Sequence, residues 1–218
     1  MIPDNLLKIK QELPSDVKLA AVSKFHPAGR LLEAYGAGQR IFAESRPQEL
    51  AAKVPLLPPD VEWHFIGHLQ TNKLKLVLPH VALVQSIDSV HLLEAVQKWA
   101  AANGRRISVL LEQHISADET KQGFSEEEIM ALLGRSADFP DICFRGLMGM
   151  ASLTDNQAVI RSDFARLTAT FEAARARFPE LTAFTERSIG MSDDWHLAVE
   201  CGSTMVRIGT AIFGPREY

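Results

Sequence analysis

Leu19-Ala20-Ala21-Val22-Ser23-Lys24-Phe25-His26-Pro27 is a short apolar run, a lysine at its end and a Pro-containing turn. Apolar residues stopped by such a turn predict a buried strand. A lysine at the mouth of a buried strand keeps its stem among apolar neighbours while its amine faces a cleft. Desolvation there disfavours the ammonium, and the neutral amine is the form that attacks an aldehyde to give a Schiff base. The competing reading is a stem that snorkels along the surface with its amine in water.

Runs of the same kind recur outward from this one: Arg40–Ala43, Trp63–Ile66, Ala82–Ser86, Ile107–Glu112, Cys143–Leu147, Phe184–Ser188 and Met205–Ile208. A helical pattern separates each from the next. An amphipathic helix over about Asp4 to Leu13 precedes the first run, and Pro27 opens the helix after it, a favoured first helical position. Gln48 to Lys53 falls in the helix after the second run, Gln70 to Leu78 follows the third, and Ser89 to Ala102 the fourth. Ser125 with Glu126, Glu127 and Glu128 supplies a hydroxyl cap and an acidic first turn. Phe164, Leu167, Phe171, Ala174 and Phe178 stripe the longest helix, and Ser192-Asp193-Asp194 starts the helix after the seventh run.

Strand then helix, repeated eight times with no adjacent strands, predicts an α/β fold: a single (β/α)8 TIM barrel with an extra N-terminal helix, one domain over residues 1–218. An open doubly wound sheet is the alternative. No GxGxxG follows the first strand, which counts against a dinucleotide site.

Composition narrows the function classes. A net charge of −4 argues against a nucleic-acid groove, which needs a basic face. Cys143 and Cys201 form no CxxC and fit two free thiols in a reducing cytosol. The amino terminus lacks the pattern of a signal peptide, and no apolar stretch approaches a membrane span. The expectation is a cytoplasmic protein, and with no obvious exposed apolar stripe, a monomer. His64 and His68 are four apart, but the Gly67 turn between them argues against a shared helical face that could hold a metal.

In such a barrel, function sits at the carboxyl ends of the strands. Gly190 and Gly209 follow the last two and let backbone approach a ligand. Ser188, Ser192 and Thr210 add hydroxyls, and the helix expected near Ser192 offers N–H groups to an anion. Tight turns alone would also explain the glycines. A Schiff-base lysine and a phosphate cradle on one face point to pyridoxal 5′-phosphate, an aldehyde carrying a phosphate. Arg207 would then lie near its ring, and an arginine facing the pyridine nitrogen keeps that nitrogen unprotonated. A surface salt bridge is the simpler role for Arg207. His64 reads as a polar group on a strand with a hydrogen-bonded partner.

The chain resembles the pyridoxal-phosphate-binding homeostasis proteins, relatives of the barrel half of alanine racemase, over nearly its whole length. The matching motifs are Ala21-Val22-Ser23-Lys24, residues 63–73 from Trp63 to Lys73, Arg145-Gly146-Leu147-Met148, Gly190-Met191-Ser192-Asp193-Asp194, and residues 202–214 from Gly202 to Gly214. The resemblance implies that Lys24 carries the cofactor as a Schiff base. It implies that Ser188, Gly190, Met191, Ser192, Gly209 and Thr210 hold the phosphate, that Arg207 meets the ring nitrogen, and that Ser45 and His64 belong to the site. Two places depart from the family pattern. Phe42-Ala43-Glu44-Ser45 stands for Phe-Gly-Glu-Asn, which puts a hydroxyl in place of an amide near the ring. Gln113-His114-Ile115 stands for Val-Asn-Ile.

A racemase and a binding protein are the main readings of such a site; a third, a lysine aldolase on a barrel, keeps Lys24 but explains the phosphate loops only as substrate contacts. A racemase needs a second base opposite Lys24, within hydrogen-bond reach of the substrate. The tyrosines are Tyr35, in the helix after the first run, and Tyr218, the last residue. Racemases of this fold also carry a second β domain over the site, and the sequence stops shortly after Gly214. The expectation is a non-catalytic binder in vitamin B6 and amino-acid homeostasis that limits free aldehyde and hands it to apo-enzymes.

Overall fold

The computed structural model describes residues 1–117 and 122–215. Its strands are β1 (Lys18–Val22), β2 (Ile41–Glu44), β3 (Glu62–Phe65), β4 (Leu83–Ile87), β5 (Ile107–Gln113), β6 (Ile142–Gly149), β7 (Glu186–Ser188) and β8 (Met205–Ile208). They pair in sequence order, and β8 closes on β1 in parallel, with Lys18 opposite Met205 and Ala20 opposite Arg207. Closure disposes of the open doubly wound sheet.

Helix α1 (Ile2–Glu12) precedes the barrel. Around it lie α2 (Ala28–Gly36), α3 (Pro47–Lys53), α4 (Leu74–Val77), α5 (Val90–Ala102), α6 (Glu126–Leu133), α7 (Gln157–Arg177), α8 (Trp195–Glu200) and α9 (Thr210–Phe213). Local chemistry accounts for several of these limits. Ser125 and Glu128 form a capping box at α6: Ser125 Oγ accepts from the Glu128 N–H at 3.2 Å, and the Ser125 N–H donates back to Glu128 Oε2 at 2.8 Å. The stripe on α7 buries Phe164, Leu167, Phe171 and Ala174, and Phe171 stacks on Phe184 at 5.2 Å.

Three boundaries differ from the sequence reading. Pro27 caps α2 from outside rather than opening it. The stretch after β3 is a 3₁₀ turn (Thr71–Lys73) followed by the single turn of α4, which buries only Leu74 and Val77. The helix after β7 starts at Trp195, not Ser192. Residues 191–194 instead close a turn in which the Met191 N–H donates to Asp194 Oδ1 at 2.5 Å.

The large buried side chains, Phe42, Phe65, Phe164, Phe171, Phe184 and Phe213 among them, pack between barrel and helices. The barrel interior is separate and built smaller. It holds Ala20, Val22, Ala43, Leu83, Leu110, Met148 and Met205, as expected when alternate strand residues point inward. At Gly146, with φ of +146°, a Cβ would lie 1.9 Å from the Glu186 carbonyl oxygen, so close β6–β7 contact demands glycine. Among the described residues no helix is long and apolar enough to cross a membrane.

Candidate functional site

A cavity of about 260 Å³ opens at the carboxyl end of the barrel, the end where barrel enzymes do their chemistry. Lys24 lines it two residues past β1, and Ser45 lines it just past β2. Met191, Ser192 and Asp193 enter from the turn after β7. Arg207, Gly209 and Thr210 enter from β8 and the start of α9, while Ile66, Met148 and Met150 supply apolar wall.

The chain around Lys24 is gripped from α3. Phe25 has φ of +68°, a left-handed conformation that costs a non-glycine residue about 1–2 kcal/mol. Its N–H donates to Glu49 Oε2 at 2.9 Å, and the Arg46 guanidinium sits 4.6 Å over its ring. On the other side of Lys24, Lys53 Nζ donates to the Ser23 carbonyl at 2.9 Å. Lys53 also pairs with Glu44 Oε1 at 2.6 Å and Glu49 Oε2 at 2.9 Å, and Ser23 Oγ donates to Glu44 Oε1 at 2.7 Å. Both peptide groups flanking Lys24 are therefore held by one buried ion network. Burial pushes the Glu44 carboxyl up, against the pull of Lys53. Burial works the same way on Glu49, but hydrogen bonds from Lys53 and the Phe25 N–H outweigh it and hold the group below its ordinary value.

Arg207 is held by its own tip. Nη1 donates to the Ser188 carbonyl at 2.6 Å and to Ser188 Oγ at 2.7 Å, and Nη2 donates to the Gly149 carbonyl at 2.9 Å. Burial pulls its pKa down to about 10, opposed by the charges of Glu112 and Asp194. Glu112, at the end of β5, is pushed up to about 7 by burial and by the charge of Asp88, with Arg207 and His68 pulling the other way. At neutral pH the barrel mouth thus holds a carboxyl near its midpoint beside a buried guanidinium.

At the outer rim the Gly209 N–H donates to Ser192 Oγ at 3.3 Å, which leaves the Ser192 O–H to donate elsewhere. The first N–H groups of α9 follow at Thr210, and a helix start has no intrahelical acceptors for them. An amine on one side, hydroxyls and amides on another and a guanidinium in the wall can together hold a small anionic carbonyl compound.

The family model for the alanine racemase N-terminal domain matches residues 1–217. The pyridoxal phosphate homeostasis protein of Haemophilus influenzae is 40% identical over 205 residues, covering 93% of this chain and 86% of that protein. The chain belongs to the pyridoxal phosphate homeostasis protein family. PipY of Synechococcus elongatus PCC7942, in its structure without PLP, is similar with a TM-score of 0.93 at 38% identity, over 98% of this chain and 100% of that one. The PipY structure with PLP bound gives 0.90 at 36% identity, with the same coverage. The alanine racemase of Bartonella henselae shares the fold, with a TM-score of 0.75 at 16% identity over 99% of this chain and 58% of that one.

The residues assigned by the family resemblance divide in two. Lys24, Ser45, Met191, Ser192, Arg207, Gly209 and Thr210 line the cavity. Ser188, Gly190 and His64 do not. Ser188 lies beneath it, bonded to Arg207 and Gln85. At Gly190, with φ of +98°, a Cβ would lie 2.6 Å from Ala198 Cβ, so the packing of α8 demands glycine here. His64 is further from the mouth, in the barrel interior between Glu62 and Gln85, beside a second cavity that Lys18, Arg145 and Glu186 also line. The departure at Ser45 touches the cavity directly. The departure at Gln113 does not, because its amide turns outward to Thr170 Oγ1 of α7 at 2.8 Å. Tyr35 bonds Asp60 Oδ1 at 2.7 Å, on the outside of the barrel, and Tyr218 lies outside the described residues. Sequence reasoning passed over Glu49, Lys53 and Gln85. The four-residue spacing of Glu49 and Lys53 and a glutamine inside a barrel strand were the available signals.

Proposed function

We propose that the chain binds pyridoxal 5′-phosphate, that Lys24 holds it as a Schiff base, and that it serves intracellular pyridoxal phosphate and amino-acid homeostasis without catalytic turnover. The observation that carries this is the lining of one cavity by a lysine amine, by the hydroxyls of Ser192 and Thr210, and by the Arg207 guanidinium. The donor set fits the cofactor: an amine for its aldehyde, hydroxyl and amide donors for its phosphate, and a cation for its ring edge. The names of the relatives and the PLP-bound PipY structure support the same ligand.

Bound pyridoxal phosphate supplies an electrophilic carbonyl carbon and an electron-accepting ring. The protein's part is to fix both. The α3 network orients the backbone on either side of Lys24, and Ser192 and Thr210 would donate to the phosphate. Three of the five Arg207 N–H groups are taken by Ser188 and Gly149, and the guanidinium, which keeps its proton at neutral pH, would give the ring nitrogen a hydrogen bond and no proton. That arrangement tethers the cofactor while weakening it as an electron sink. Among the described residues lining the cavity there is no tyrosine to act as a second base, which supports a binder over a racemase. The working picture is a cytoplasmic, monomeric, one-domain protein that limits free aldehyde and passes it to apo-enzymes.

Purified protein mixed with pyridoxal phosphate should develop an absorbance band at the edge of the visible that borohydride removes, leaving the label on Lys24. Lys24→Ala should abolish both. A protein that takes up no pyridoxal phosphate overturns the reading. Racemisation of alanine or serine well above blank, lost in Lys24→Ala, overturns the absence of turnover.

A further inference from the structure

The polar side chains inside the barrel form one continuous line from its amino-terminal mouth to the cavity. Glu62 Oε1, on a half-exposed side chain, meets His64 Nε2 at 2.9 Å. His64 Nδ1 meets Gln85 Nε2 at 2.9 Å, and Gln85 Oε1 accepts from Ser188 Oγ at 2.7 Å. Ser188 Oγ in turn accepts from Arg207 Nη1 at 2.7 Å. His64, Gln85, Ser188 and Arg207 are all buried, on β3, β4, β7 and β8.

Donor chemistry gives this line one direction. Arginine only donates, so Ser188 accepts from it and sends its own proton to Gln85 Oε1. The amide then presents N–H to His64 Nδ1, which must be the bare nitrogen, and Nε2–H donates to the Glu62 carboxylate. Each link settles the orientation of the next. The apolar residues that surround the line show what the interior accepts without hydrogen bonds, and a partly satisfied polar line is worse than an apolar filling.

We propose that Gln85 is a positioning residue for Arg207. It holds the Ser188 hydroxyl so that its lone pairs face the guanidinium, and His64 holds Gln85. The orientation of the cation in the cavity wall is thus set from the far end of the barrel, and His64 contributes to the site without touching it. The consequence for the cofactor rests on the function proposed above; the consequence for Arg207 does not.

Gln85→Met keeps the volume and removes the hydrogen bonds with His64 and Ser188, together with the Nε2 contact to Met205 Sδ at 3.2 Å. In protein without ligand, arginine side-chain nitrogen NMR should show the Arg207 resonances shifted and its Nη rotation faster. With pyridoxal phosphate added, borohydride should still fix the label on Lys24, while the absorbance band shifts and affinity falls about fivefold, the scale of one buried hydrogen bond.

Gln85→Glu is the rescue. Its carboxyl accepts the Ser188 hydroxyl proton in either protonation state, so this variant should keep the Arg207 resonances near those of the wild type while Gln85→Met shifts them. The other charged groups around His64 are Glu62 on its own strand, Lys18 on β1, Arg145 on β6 and Glu186 on β7.

Unchanged Arg207 resonances in Gln85→Met overturn the proposal whether or not pyridoxal phosphate binds. Shifted resonances with the same band and affinity overturn its bearing on the cofactor. Shifted resonances in a protein whose wild type takes up no pyridoxal phosphate support the positioning of Arg207 and overturn the proposed function. If Gln85→Met does not fold, His64→Phe, which removes the group that holds the Gln85 amide, makes the comparison, and unchanged Arg207 resonances overturn the proposal.

Discussion

Lys24 and Arg207 line the same cavity, yet the protein holds them by opposite means. The grip around Lys24 is on the backbone: Glu49 takes the Phe25 N–H, Lys53 takes the Ser23 carbonyl, and the two charges pair with each other and with Glu44. The grip on Arg207 is on the side chain itself, through Ser188, the Gly149 carbonyl and a neutral line leading to Gln85 and His64. Under the proposed function, Lys24 forms and releases a bond from a backbone held in place, while Arg207 has only to face a ring edge. The first mount is ionic and built on a strained residue, and the second is a chain of neutral hydrogen bonds ending on one buried charge.

The comparison breaks most sharply at Lys53. Removing one member of a buried ion network leaves its partners uncompensated, so Lys53→Met should lower stability by about 3 kcal/mol in urea unfolding. It should also slow the borohydride-trapped labelling of Lys24. A loss within experimental error would show that the α3 network does not hold the loop.

Glu112 tests the arginine side. Its folded pKa of about 7 lies above the ordinary value of 4.5, so the folded state binds its proton more tightly. The stabilisation is therefore complete below about pH 4.5 and is lost as pH rises towards 7. Glu112→Gln imitates the protonated form and should remove that decline, gaining about 3 kcal/mol over the parent at pH 8 relative to pH 4.5. Parallel pH dependences in the two proteins would contradict this.

The smallest effect concerns the strain at Phe25. Phe25→Gly and Phe25→Ala lose the same ring, but only alanine keeps a Cβ in the left-handed conformation. The glycine variant should be the more stable by about 1 kcal/mol. Equal urea midpoints would remove strain from the account of the lysine mount.

Much of this was legible along the chain. The eight apolar runs became eight strands, because a strand buried on both faces advertises itself as continuous apolar sequence. Lys24, Ser192, Arg207, Gly209 and Thr210 were legible as cavity-lining residues because they fall within four residues of strand ends, where a barrel gathers its loops. His64 and Gly190 were assigned to the site and lie off the cavity lining, because sequence position does not say at what depth a residue sits; the reading of His64 as a strand residue with a hydrogen-bonded partner matches its bonds to Glu62 and Gln85. Gln85 and Lys53 went unread because each matters through partners more than 20 residues away, Ser188 and Ser23.

The sequence by itself determined the order of strands and helices, the lysine at the first strand end and the glycine-hydroxyl turns after the last two. Those follow from local periodicity and from the short range over which a turn or cap acts. Only the tertiary structure decided that β8 closes on β1, that Lys24 and Arg207 share one cavity, and that His64 and Gln85 stand behind the arginine. Closure and inward side-chain depth depend on strand tilt and register, which are set by all eight strands together.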